Sequence, residues 1–134
     1  MRGYLENGNY YLLQAQNEEN DLITRKENCD LAYKNFCRAQ KETDCTARII
    51  EIKYIYKELA QLFYCQAIEN MDDVFFNKTA CPDKLGDTSL EQLDLAINYF
   101  INAKECGINK DCEYLIKKCQ QKKKQLNIKQ ERFF

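Results

Sequence analysis

Residues 49–67 read IIEIKYIYKELAQLFYCQA, and the fold class is decided there. Ile49, Ile52, Tyr56, Leu59 and Phe63 recur at steps of three and four, with Ile55 and Leu62 beside them, so one wide apolar stripe runs along a helix. A stripe of that width suits a helix packed on two sides. The same stretch ends in Ala60, Tyr64 and Ala67, a ring flanked by two small residues on one helical face, which lets a neighbouring helix approach closely. The pattern recurs as Ala32/Phe36/Ala39 and Ala96/Phe100/Ala103, and predicts three close helix crossings.

Around this segment, the 134 residues contain four glycines and one proline, with neither between Asn9 and Ala80, so the strongest helix breakers are missing from over half the chain. An all-α fold of five to six helices in antiparallel hairpins follows. Length predicts one core, organised as a single helical domain over 1–119 with a basic C-terminal tail over 120–134. Heavy use of Lys, Asn, Gln, Ile and Tyr, without His or Trp, fits A/T-rich coding and needs no functional explanation.

Polar breaks set the expected boundaries. A first helix is expected over Asn9 to Asn17 and a second over Asp21 to Lys41. Thr43 or Asp44 caps a third, and Val74-Phe75-Phe76 reads as a separate apolar turn ended at Cys81-Pro82. Thr88 or Ser89, with Glu91 and Gln92, predicts the start of a helix carrying Leu93, Ala96, Phe100 and Ala103. Gly107 closes it with Ile108 beyond the cap, and Asn109 opens a last helix bearing Tyr114, Leu115 and Cys119.

Ala-x-x-x-Phe-x-x-Ala resembles the second helix of tetratricopeptide repeats, and Ala103-Lys-Glu-Cys-Gly107-Ile continues as those repeats often do. The resemblance implies degenerate helical hairpins, because the motifs start 28 and 36 residues apart and Ile108 stands where a repeat-ending proline is expected. Asp21-Leu22 through Leu31-Ala32-Tyr33-Lys34-Asn35 is similar to a segment of 14-3-3 proteins. That similarity implies phosphopeptide contacts at Lys34, Lys41 and Lys57, although Glu58 replaces the family's phosphate-contacting tyrosine and the chain is short for that domain.

Eight cysteines, at 29, 37, 45, 65, 81, 106, 112 and 119, leave two readings open. Cys37 and Cys65 follow the motif aromatics where the third motif has Ile101, which predicts buried small hydrophobes there. Disulfides are the other reading. Small proteins of the mitochondrial intermembrane space resemble this chain in carrying paired helical cysteines, and the resemblance implies a disulfide-stapled accessory subunit; the intervals here hold seven, seven and six residues, unlike that group's three or nine. Met1 to Glu6 turns polar at once, so no signal peptide is expected and the sequon Asn77-Lys78-Thr79 reads as incidental.

Reaction chemistry is hard to find. Without histidine no thiol has its usual base, no Cys-x-x-Cys pair holds a metal, and the isolated glycines build no phosphate loop. Neighbouring carboxylates at Glu18-Glu19 and Asp72-Asp73 diverge on a helix. No enzyme activity, cofactor, metal or transmembrane segment is expected.

Charge points to partners instead. Residues 112–134 hold seven basic groups (Lys117, Lys118, Lys122, Lys123, Lys124, Lys129, Arg132) against Glu113 and Glu131, a net of +5, while residues 1–111 carry −6. This tail, with Phe133 and Phe134, is the expected contact for an acidic protein surface or an anionic membrane. Nucleic acid is disfavoured, because the cluster is short and only the two terminal rings are available to stack. The expected role is a non-enzymatic scaffold subunit of a larger assembly, docking partners through helix faces and the basic C-terminal tail. It is expected to be intracellular and cytoplasmic and compatible with a cytoskeletal or ciliary assembly, with the intermembrane-space subunit and the phosphopeptide module as alternatives.

Overall fold

The computed structural model describes residues 3–76, 85–108 and 111–132, with side chains throughout except at 85–88 and 128–132. Five α-helices and no strand occur among the described residues: α1 Tyr4–Gln16, α2 Leu22–Ala39, α3 Thr46–Phe76, α4 Leu85–Glu105 and α5 Cys112–Arg132. The chain divides into two compact units, Met1–Leu59 and Ala60–Phe134. The boundary falls inside α3, which contributes one part to each.

In the first unit α1 and α2 form an antiparallel hairpin. Its closest approach is at Gly8, where an added Cβ would lie 2.8 Å from a ring carbon of Phe36, itself fully buried. The ring of the first motif thus rests on bare backbone, and Ala32 and Ala39 flank it in the core. Gly8 therefore lies inside α1, and the helix starts at Tyr4 rather than the expected Asn9. The hairpin is fastened at its ends: Arg38 sits over the Tyr4 ring at 5.4 Å, and Asn20 Nδ2 donates to the Gln14 carbonyl at 3.1 Å.

Asp21, the expected first residue of the second helix, is the N-cap of α2 and accepts from the Thr24 amide at 2.7 Å. At the next turn Gln40 Oε1 accepts from the Cys45 amide at 2.6 Å, while Asp44 Oδ1 accepts from the Thr46 amide at 3.0 Å and opens α3. Ile52, Ile55 and Leu59 are buried in this unit, whereas Ile49 and Tyr56 are not. Tyr56 donates to Asp30 of α2 across the contact.

Arg25 is the buried polar group of this unit, 4% exposed. Its Nε donates to the Ala15 carbonyl at 2.8 Å in the last turn of α1, and one terminal nitrogen lies 3.4 Å from Glu58 of α3. One guanidinium thus satisfies an orphan carbonyl of α1 from α2 and reaches α3.

The second unit joins the rest of α3 to α4 and α5. Phe63, Ala60, Ala67 and Met71 are buried on α3, while Leu62 is 39% exposed. The rings of the second and third motifs meet here. Tyr64 and Phe100 stand edge to face at 5.8 Å, and Phe63 and Tyr99 lie beside them at 5.9 Å. Leu93, Ala96, Phe100 and Ala103 form the buried face of α4. Val74, Phe75 and Phe76 are the closing turn of α3 and form no separate element, because nothing after Met71 breaks the helix. α4 begins at Leu85, ahead of the expected Thr88 or Ser89; Ser89 is buried within it, and the Thr88 side chain, Cys81 and Pro82 lie outside the described residues.

The end of α4 follows the glycine rule. Gly107 adopts φ 124°, its amide donates to Lys104 O at 3.1 Å and the Ile108 amide to Ala103 O at 3.0 Å, the two bonds of a Schellman cap. Ile108 is the apolar residue beyond it, as expected. Asn109 lies outside the described residues; Asp111, at φ 61°, precedes α5 and its carbonyl accepts from the Leu115 amide at 2.8 Å. Leu115 and Cys119 face the core, but Tyr114 is 64% exposed, one step round the helix from Leu115.

Candidate functional site

The expected tail begins in the middle of α5, which continues unbroken through residue 120. The proximal part of this helix is core: Cys112 and Cys119 are fully buried and Leu115 nearly so. Beyond Cys119 no described residue is buried, and Lys122, Lys123 and Leu126 are half-buried.

Three lysines of the basic cluster are engaged within their own chain. Lys118 and Lys122 set their ammonium groups 5.3 and 5.5 Å from the centre of the Phe75 ring, one turn apart on α5. At that range the ring's negative face attracts a cation. Lys123 pairs with Asp94 of α4. Near the start of α5, Lys104 of α4 pairs with Glu113 and, by donating a hydrogen bond, holds that carboxyl below its usual range. Lys117 also lowers the Glu113 pKa and is exposed, as is Lys124. The side chains of Lys129 and Arg132, and the whole of Phe133 and Phe134, lie outside the described residues.

Residues 60–111 hold four basic and nine acidic groups, so the basic helix shares its unit with the most acidic stretch of the chain. A sequence count registers an excess of cations; it does not register that Asp94 and Phe75 stand under them.

The cysteines divide differently from the sequence expectation. Cys37 and Cys65 are exposed, and Ile101 in the same register is 42% exposed. The residue after each motif aromatic is rotated about 100° from the buried face, so this register looks towards solvent. Burial falls instead to Cys29, Cys45, Cys106, Cys112 and Cys119. Burial pushes the Cys119 thiol up to about 11 and also raises that of Cys112, so both resist ionisation. No disulfide joins the seven described cysteines, Cys81 lying outside them.

The lysines singled out by the 14-3-3 similarity are scattered in role. Lys34 and Lys41 are exposed, Lys57 lies 5.6 Å over the Tyr54 ring, and Glu58 faces Arg25. Among the described residues, no cluster of three His, Cys, Asp or Glu is placed to hold a metal ion, and no helix is long and apolar enough to cross a membrane.

Sequence reasoning missed two apolar pairs. Tyr10 and Leu13 of α1 are 48% and 66% exposed at i,i+3, and Ile50 and Tyr54 of α3 are 46% and 65% exposed at i,i+4. Each forms a short exposed stripe on its helix. The signal was available in the spacing, but an apolar pair reads as core until its helix's other face is known to be buried.

No family model, curated protein or solved structure matches this chain.

Proposed function

We propose that the chain is a non-enzymatic scaffold subunit of a larger intracellular assembly, docking partner proteins through uncovered helix faces and through the cations of α5. The observation that carries this reading is the pair of exposed stripes in the first unit, Tyr10/Leu13 and Ile50/Tyr54. Isolated apolar side chains are ordinary on a protein surface, but neighbours at helical spacing form a surface that a second helix can cover. Full burial of a large apolar side chain contributes about 1.5–3 kcal/mol, and covering these, which are already partly buried, contributes roughly half of that each. Tetratricopeptide-like use of the hairpins, in a cytoskeletal or ciliary setting, is part of the same proposal and rests on the spacing of the three motifs in the sequence.

The test is a photo-crosslinking residue placed singly at Leu13, at Tyr54 and, as a control, at Glu42 in the exposed turn after α2. Capture of the same neighbouring protein from positions 13 and 54, and not from 42, is the expected result. Equal capture from all three positions, or from none, contradicts the reading.

A further inference from the structure

We propose that the distal half of α5 is a charge-held strap on the second unit, which lifts from Asp94 and Phe75 while the proximal half stays in the core. This inference stands on the contacts of the second unit alone and does not depend on the scaffold reading.

The burial gradient divides the helix at Cys119. Before that residue α5 is anchored by side chains removed from water, at Cys112 and Leu115, and Cys119 is the last buried side chain, at the hinge, where its thiol opens with the turn that follows. After it, through Asn127, the described attachments are the Lys122 ammonium over Phe75, the Lys123 pair with Asp94 and the half-buried Leu126. The ion pair is solvent-accessible on both sides, with Lys123 32% and Asp94 60% exposed. Water and salt therefore weaken it in a way they do not weaken the proximal core.

Helix ends fray from the terminus inward, and a segment with few buried contacts opens before a segment with many. Lifting the strap does two things together. It releases Lys122 and Lys123 from their own chain, and it leaves Lys118 as the cation held over Phe75. A cationic segment thus becomes available in one step, beside the exposed Phe76.

Cys112 and Cys119 are built-in reporters, because both are shut away from water and reagent while the helix is closed, Cys112 within the anchored segment and Cys119 at the hinge. Iodoacetamide labelling of the full chain, resolved by peptide mass mapping, measures the opening at each. With wild-type protein, raising the salt from about 50 to about 500 mM is expected to speed labelling of Cys119 by about two- to five-fold. Asp94→Asn at low salt is expected to do the same, and the paired exchange Asp94→Lys with Lys123→Asp to restore the slow rate. Cys112 is expected to keep its rate throughout, and Cys29 in the first unit reports that the fold is intact. Acceleration of Cys112 and Cys119 together would show α5 leaving as one piece and overturn the proposal. An unchanged Cys119 rate in salt, a test that needs no variant to fold, would overturn it too.

Discussion

Among single residues, Gly8 and Arg25 have the largest effects that sequence reading passed over. Gly8→Ala sets two effects against each other: alanine gains about 1 kcal/mol of helix propensity, but its methyl would lie 2.8 Å from a carbon of the fully buried Phe36 ring, so the ring or the helix must shift in a close-packed interior. Overpacking of this kind costs about 1–3 kcal/mol. The expected outcome is net destabilisation in a urea titration. Gly3 has nothing within 4 Å of an added Cβ. Gly3 is the N-cap of α1, so Gly3→Ala is expected to cost up to about 1 kcal/mol through the poorer cap, with no steric contribution. A stabilised Gly8→Ala protein would contradict the packing described. Arg25→Met removes a charged donor from the Ala15 carbonyl and is expected to cost about 1.5–3 kcal/mol. Glu58→Gln is expected to cost less than about 1 kcal/mol, because Glu58 is half exposed and water replaces its partner. Cysteine reactivity follows from burial in the same way. Cys37 and Cys65 are expected to react with a thiol reagent at the rate of an accessible thiol, and Cys112 and Cys119 far more slowly, read by peptide mapping at about pH 8. Aligning the three motifs puts Cys37, Cys65 and Ile101 in one register. It gives the wrong environment because a register fixes an angle about the helix axis, and only the neighbours decide what lies at that angle. The six motif alanines, Phe36 and Phe100 are buried, whereas Tyr64 is half-buried and its neighbour Phe63 takes the core position of the second motif.

Among the helices, interior positions were legible and boundaries less so. Asp44 and Gly107 were found because a cap is a local chemical device, readable from a few residues. The start of α1 was misplaced because Gly8 is unfavourable in an isolated helix and is retained for its contact with Phe36, a tertiary reason. The end of α3 was misplaced because Asp72-Asp73 is polar without being a helix breaker. The caps also predict a pH response. Hydrogen bonds from the Thr24 amide and hydroxyl hold the Asp21 carboxyl below its ordinary 3.8, and the hydroxyl and amide of Thr46 do the same for Asp44. Both groups favour the folded state above 3.8 and lose that contribution as pH falls through their lowered values. Helix content by circular dichroism is therefore expected to decline below pH 3.8 with a steeper dependence in wild type than in Asp21→Asn/Asp44→Asn, since asparagine caps without titrating. Identical acid profiles would remove the caps from the explanation.

For the chain as a whole, the all-α class was legible from missing breakers and apolar stripes, but the division at Leu59–Ala60 was not. It falls inside one uninterrupted helix, where neither composition nor punctuation changes. Charge was half legible: the basic excess after Cys112 is plain in the sequence, whereas its engagement with Asp94 and Phe75 depends on three helices meeting. That engagement moves the weight of the docking proposal from the tail alone to the apolar stripes of the first unit. If those stripes hold the chain in an assembly, its native mass must show it. Sedimentation of the full chain from the cells that make it is expected to show a species well above the 15.9 kDa of one chain. Leu13→Glu/Tyr54→Glu, with helix content preserved, is expected to shift the protein towards that monomer mass. Wild-type and variant chains that both sediment as the monomer would contradict docking through these stripes.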